Sequence, residues 1–190
     1  MADQLIKAAS PLLGFTHTIG DTVVREVSPI SLVSIATPLG GGDALDALLE
    51  KTIKLKRPAI GKLHRSEQGD ALLGLQTDQC LLVSDSDVLD PATALKQTLG
   101  NAAYLTDQSD GWVIVEIAGP LSRAALERIC PIDLAEDNFT EHDVARTSME
   151  HLSVIIERIG LSCFRLYSPR SSADSFLHAI TLSLSNVADE

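Results

Sequence analysis

The sequence predicts an α+β fold built as two pseudo-symmetric strand-helix-strands-helix repeats, with antiparallel sheets and the helices packed on one face of each. Three observations carry this expectation. SLVSIATPL at 31–39 resembles WVIVEIAGPL at 112–121, matching Ile35-Ala36 to Ile117-Ala118 at an offset of 82 residues. CLLVSD from Cys80 resembles CFRLYSP from Cys163 at an offset of 83. The apolar spacing after each first strand is also repeated. Leu45, Leu48, Leu49 and Ile53 stand in the same relation as Leu121, Ala124, Ala125 and Ile129, and this places four side chains on one helical face.

In chain order, the first repeat reads as strands at about 29–37, 60–66, 70–76 and 79–84, with a helix after the first strand. A second helix closes the repeat through Ala92, Leu95 and Leu99. The second repeat has strands at about 111–118, 142–149, 152–159 and 161–167, closed by a helix carrying Ala173, Phe176 and Ile180. QTDQ at 76–79 and RIG at 158–160 suit hairpin connections. Asp43, after Gly40-Gly41-Gly42, is expected to cap the first helix, and Asp90-Pro91 supplies a cap followed by a proline at the first helical position. No stretch is rich enough in Pro, Gly or Ser to separate free domains. The expectation is one integrated unit over 1–190, with pseudo-repeats at about 29–100 and 111–185.

Composition narrows the function classes. The chain is 45% hydrophobic but only 4% aromatic, so its core is built from Leu, Ile, Val and Ala. A net charge of -11 argues against nucleic-acid binding, which needs basic residues to displace phosphate counterions. No apolar run approaches the roughly 18 residues of a membrane span, and the N-terminus lacks the apolar stretch of a signal peptide. Cys80, Cys130 and Cys163 are widely separated and form no CxxC, which suits free thiols in a soluble, cytoplasmic protein.

One segment runs against the acidic balance. KTIKLKRPAIGKLHR at 51–65 carries Lys51, Lys54, Lys56, Arg57, Lys62 and Arg65 and no acid. It reads either as a solvated helix end and loop, since cations suit a helix C-terminus, or as the rim of a docking patch for an acidic partner surface.

The candidate sites each fail on chemistry. Gly119-Pro120 looks like a phosphate-cradling turn, but GxGxxG and GxxxxGK[ST] are both missing and Pro120 has no N–H to offer an anion. It reads as a corner, with Pro120 the first helical residue. Gly40-Gly41-Gly42 could form an anion nest, yet Asp43 would place a carboxylate where the anion must sit. Asp85, Asp87 and Asp90 lack the glycine and glutamate that a calcium loop requires at its sixth and twelfth positions. His17, His64, His142, His151 and His178 include no pair at zinc-ligand spacing. GxSxG is missing, and Cys130 stands before Pro131 at a helix end that disfavours thiolate. No catalytic, cofactor-binding or metal-binding residue is assigned.

A set of short motifs adds to this reading. Ser109-Asp110-Gly111-Trp112, Ala118-Gly119-Pro120, Cys130-Pro131-Ile132-Asp133-Leu134, Phe139, Ala145-Arg146-Thr147 and Pro169-Arg170-Ser171 occur in this order over about residues 105–185. In this arrangement the chain resembles the gamma subunits of heterotetrameric sarcosine oxidase, within the folate-binding aminomethyltransferase-like superfamily. The resemblance implies a non-catalytic subunit supporting the flavin-dependent oxidative demethylation of sarcosine to glycine. Hydrogen peroxide and formaldehyde or methylenetetrahydrofolate would be the other products. It implies alpha, beta and delta subunits as partners. FAD, FMN, NAD and tetrahydrofolate would be carried on partner subunits, zinc on the delta subunit, and none on this chain. The alternative is a freestanding folate-binding protein of the same superfamily, in one-carbon transfer or iron–sulfur maintenance.

Overall fold

The computed structural model describes residues 9–86 and 88–190. Its strands form two antiparallel sheets. The chain opens with a hairpin, β1 (Thr16–Ile19) and β2 (Thr22–Glu26), and continues through β3 (Ser31–Ala36) into α1 (Gly42–Ile53). Next come β4 (Leu63–Arg65), β5 (Ala71–Gly74), β6 (Gln79–Ser84), α2 (Pro91–Leu99) and β7 (Tyr104–Asp107). The second half runs β8 (Trp112–Ala118), α3 (Ser122–Glu127), β9 (Val144–Met149), β10 (Leu152–Gly160), β11 (Cys163–Pro169) and α4 (Ala173–Ala188). The six-stranded sheet has the order β1-β2-β8-β11-β10-β9, and the five-stranded sheet has β4-β5-β6-β3-β7. Read outward from the first strand of each half, β3-β6-β5-β4 and β8-β11-β10-β9 follow the same order.

Strand alternation explains the layering. Successive side chains point to opposite faces of a sheet, and here both faces are buried. In β8, Val113, Val115 and Ile117 face a core shared with Phe176, Ile180 and Leu184 of α4 and Ala125 and Leu126 of α3. In β3, Val33 and Ile35 face Leu45 and Leu49 of α1 and Leu95 and Leu99 of α2. The intervening residues build a third core from both sheets, with Leu32, Leu63, Leu73, Leu81 and Val83 against Ile114, Val144, Ile155 and Tyr167. The molecule is therefore a stack of helices, sheet, sheet and helices. Each fully buried leucine or isoleucine contributes about 1.5–3 kcal/mol, which lets three aliphatic cores hold the stack with few aromatics. The stack is stitched along one edge, where Leu63 N–H donates to His142 O at 2.9 Å and Val144 N–H to Gly61 O at 3.1 Å.

Several expected boundaries move. Asp43 is not the cap of α1. Gly41 is, because Gly41 N–H donates to Pro38 O at 2.8 Å and the chain turns into the helix two residues early. Asp90 does cap α2, accepting from Thr93 N–H at 3.0 Å. Pro120 lies outside α3, which starts at Ser122. Arg158 and Gly160 pair with Phe164 and Cys163 inside the β10–β11 ladder, so the hairpin turn falls at Leu161-Ser162 rather than at 158–160.

Candidate functional site

The basic segment reads from sequence either as a solvated helix end and loop or as a docking rim. It leaves α1, loops, and enters β4, and most of its charge is engaged within the molecule. Arg57 folds back on α1 and donates to Asp46 from Nε at 2.6 Å and from a terminal nitrogen at 3.0 Å, with Thr37 Oγ1 accepting a third bond at 3.0 Å. This pairing holds the Asp46 carboxyl below its ordinary value. Lys56 pairs with Glu50 at 3.2 Å and Lys62 with Asp143 at 2.5 Å. Burial would raise Asp143, but Lys62 and two bonds from Thr140 outweigh it and hold the carboxyl low. Arg65 reaches across the sheets to Glu157 at 2.6 Å. Of the segment's six cations, only Lys51 and Lys54 lack an acid partner among the described residues. The rim of six thus shrinks to two. Lys56 and Arg57 fold back onto acids of the preceding α1, while Lys62 and Arg65 meet acids 81 and 92 residues away.

Arg65 belongs to a polar cluster buried between the sheets. Glu157 Oε1 accepts from the Tyr167 hydroxyl at 2.6 Å. Arg165 forks onto Asp85 at 2.9 and 3.2 Å and lies 3.7 Å from Glu116, which Arg25 clasps from Nε at 2.9 Å. Burial pushes the Glu157 carboxyl up in spite of Arg65, and it pushes the Tyr167 hydroxyl well up. Burial alone would lower Arg165, but Tyr167 and Asp85 hold it protonated. Glu157 has no exposed surface, so no substrate reaches it. The cluster registers one sheet on the other. Removing one member of such a buried pair costs about 3–5 kcal/mol because the other charge is stranded.

Gly119 also has a packing reason. Its φ is +136°, and an added Cβ would meet the backbone of Asp21 and lie 2.6 Å from Thr22 Cα in the β1–β2 turn. The start of α3 is occupied from the same side, since Thr22 Oγ1 accepts from Leu121 N–H at 3.1 Å and Ser122 Oγ donates to Ser162 O at 3.0 Å. The Gly40-Gly41-Gly42 turn is closed by the Arg57 guanidinium, 2.8 Å from where a Gly42 Cβ would stand. Of the aspartate triad, Asp85 binds Arg165 and Asp90 caps α2, while Asp87 lies outside the described residues. His142 and His151 flank the two ends of β9. No group of three or more metal-ligating side chains occurs among the described residues. Burial pushes the Cys80 thiol up to about 12, Cys163 to about 11, and Cys130 in the same direction, so none is poised as a thiolate. No helix among the described residues is long and apolar enough to cross a membrane.

What the sequence reading passed over is a cleft of about 130 Å³ at one mouth of the inter-sheet layer, lined by Ser34, Gln76, Gln79, Gln108, Trp112 and Arg146. Its residues are spread over four strands and two loops, and no local pattern groups them.

No protein-family profile matches the chain. A sarcosine oxidase subunit gamma from Corynebacterium sp. (strain P-1) is 26% identical over 175 residues, spanning 91% of this chain and 85% of that protein. The chain is similar to sarcosine oxidase gamma subunits. Two further proteins of that description, from Corynebacterium sp. (strain U-96) and Arthrobacter sp., are 26% and 25% identical over 63% and 75% of this chain, or 58% and 70% of theirs. The fold matches a chain of the heterotetrameric sarcosine oxidase from Corynebacterium sp. U-96, solved with pyrrole 2-carboxylate. There the TM-score is 0.82 at 22% identity, covering 95% of this chain and 96% of that one. A glycine cleavage system aminomethyltransferase T from Bartonella henselae shares the fold with a TM-score of 0.65 at 12% identity, over 91% of this chain and 56% of that one. The resemblance drawn from residues 105–185 therefore extends over nearly the whole chain.

Proposed function

We propose that the chain is the non-catalytic gamma subunit of a heterotetrameric sarcosine oxidase. It supports the oxidation of sarcosine to glycine from within the complex and takes no part in the chemistry. The observation that carries this reading is the two-way coverage: the fold match takes in 95% of this chain and 96% of the chain it matches. The match to the aminomethyltransferase covers only 56% of that enzyme, so the alternative of a freestanding folate-binding protein draws on no match of comparable extent. The partners are the alpha, beta and delta subunits. FAD, FMN, NAD and tetrahydrofolate sit on partner subunits and zinc on the delta subunit, all in the cytoplasm. The shared strand order of the two halves supports a pseudo-two-fold unit built twice. The engagement of the cationic segment with internal acids supports a scaffold whose charges serve its own fold, leaving Lys51 and Lys54 as the rim available to a partner. A stable subunit interface buries about 800 Å² per side. The test is co-expression with the three other subunits and assay of sarcosine-dependent peroxide release. The expected result is a chain that co-purifies in the complex and has no turnover alone. Sarcosine turnover by the isolated chain overturns the reading.

A further inference from the structure

Beside the Arg65–Glu157–Arg165–Glu116 cluster the inter-sheet layer is apolar, and it opens at a second polar region, the cleft. On β9, Arg146 stands opposite Ile155 of β10, which stands opposite Tyr167 of β11 and, beyond it, Ile114 of β8. Ile155, Tyr167 and Ile114 are all members of the inter-sheet core. Arg146 thus starts from the row that fills the layer, at the edge of the sheet where the layer opens. Trp112 packs against the same core from the start of β8. From the facing sheet come Ser34, which accepts a hydrogen bond from the Gln79 side-chain amide, and the side chains of Gln76 and Gln108. Leu75 and Leu81 complete the lining.

The state of Arg146 is unusual for this molecule. Of nine arginines, Arg25, Arg57, Arg65, Arg123, Arg128, Arg158, Arg165 and Arg170 each form an ion pair or a hydrogen bond. Arg146 forms neither among the described residues, although the chain carries 26 acidic residues. A guanidinium presents a planar fork of donors matched to a carboxylate. The tryptophan and the glutamines that line the same cleft suit a flat, partly polar molecule. A cavity of roughly 150 Å³ holds a six-membered ring, and this cleft measures about 130 Å³.

We propose that the cleft between Trp112 and Arg146 is a binding site for a small planar carboxylate, with the carboxylate on Arg146 and the ring against the indole. Trp112 is the only tryptophan in the chain, so its fluorescence reports on this site alone. The experiment titrates the full chain with sodium benzoate at constant ionic strength, with benzamide as the neutral isostere and Arg146→Met as the variant. The expected result is saturable quenching by benzoate, half-complete near about 1 mM, the affinity to be expected of so small a ligand. Benzamide binds at least about tenfold more weakly, and Arg146→Met weakens benzoate by a similar factor through loss of a charge-assisted bond. Because Arg146 has no internal partner, the variant melts with the wild type, which separates lost binding from lost folding. Linear, unsaturable quenching overturns the proposal. So does benzamide binding as tightly as benzoate, or a variant that binds benzoate as the wild type does.

Discussion

Replacement of Arg158 by methionine tests how the motif Cys130-Pro131-Ile132-Asp133-Leu134 is held. Arg158 lies inside β10 with 2% of its surface exposed and has no carboxylate partner. Its guanidinium donates to Phe139 O at 2.5 Å, Leu134 O at 2.5 Å and Leu161 O at 2.6 Å, and sits 4.6 Å from the Phe164 ring centre. One side chain therefore ties the 134–139 loop to the β10–β11 turn. Methionine keeps the apolar stem and removes all three donors. The bonds to Leu134 and Phe139 are buried, so two carbonyls lose their partner at about 1–2 kcal/mol each, while the Leu161 bond is only part-buried and water can replace it. Loss of the cation–ring contact adds about 0.5–1 kcal/mol, and release of a buried charge offsets part of the total. The net loss is about 2–4 kcal/mol. With a urea slope of about 2 kcal/mol per M, the unfolding midpoint followed by far-ultraviolet circular dichroism falls by roughly 1–2 M. Arg158→Lys restores less than half, since an ammonium cannot fork onto three carbonyls. A midpoint within about 0.3 M of wild type would refute the role of Arg158 as the clasp of this loop.

Three further outcomes follow from the geometry. Gly119→Ala places a Cβ against the backbone of Asp21 and Thr22 at a φ of +136° and should lower stability by about 3 kcal/mol; a melting temperature equal to wild type contradicts the close approach. Lys51→Glu/Lys54→Glu should change stability by no more than about 0.5 kcal/mol, whereas Arg65→Glu should destabilise the fold severely by stranding Glu157; equal thermal shifts for the two variants would show that the segment's charges are all solvated. Asp46 and Asp143 are held below the ordinary carboxylate value, so they contribute stability that is present above about pH 4 and is lost as pH falls further. Glu157, raised by burial, has the opposite slope, so the readout is a difference between proteins: urea midpoints between pH 6 and 3 should fall less steeply in Asp143→Asn than in wild type, and parallel curves refute the pairing with Lys62.

Much of the sheet framework was legible because both faces of its strands are buried, so that runs such as VIVEIA and CLLVS declare themselves by composition alone. The β1–β2 hairpin went unread although Gly20-Asp21 separates THTI from TVVRE, since β1 is a largely exposed edge strand with little apolar signal. The same holds for β7, whose YLTD is polar and mostly exposed. RIG suits a turn by composition, because a charged residue in a hairpin is ordinarily solvated; here two carbonyls of the 134–139 loop and one of the hairpin turn accept hydrogen bonds from Arg158. The inter-sheet ion pairs were illegible for a related reason. Asp85 and Arg165 are 80 residues apart, and Arg65 and Glu157 are 92. Such pairing is decided by how the sheets stack, and local patterning carries no trace of it. The basic segment misled in the same way, since its charges stand together in sequence while their acid partners are scattered over α1, β10 and the β9 approach.

Native mass spectrometry of the chain co-expressed with the alpha, beta and delta subunits of a sarcosine oxidase decides whether it is a non-catalytic subunit. The expected result is an assembly containing one copy of this chain, with every flavin mass assigned to the other subunits when the complex is dissociated. A flavin that leaves with this chain, or a sarcosine-oxidising complex that forms in full while this chain remains free in solution, contradicts it.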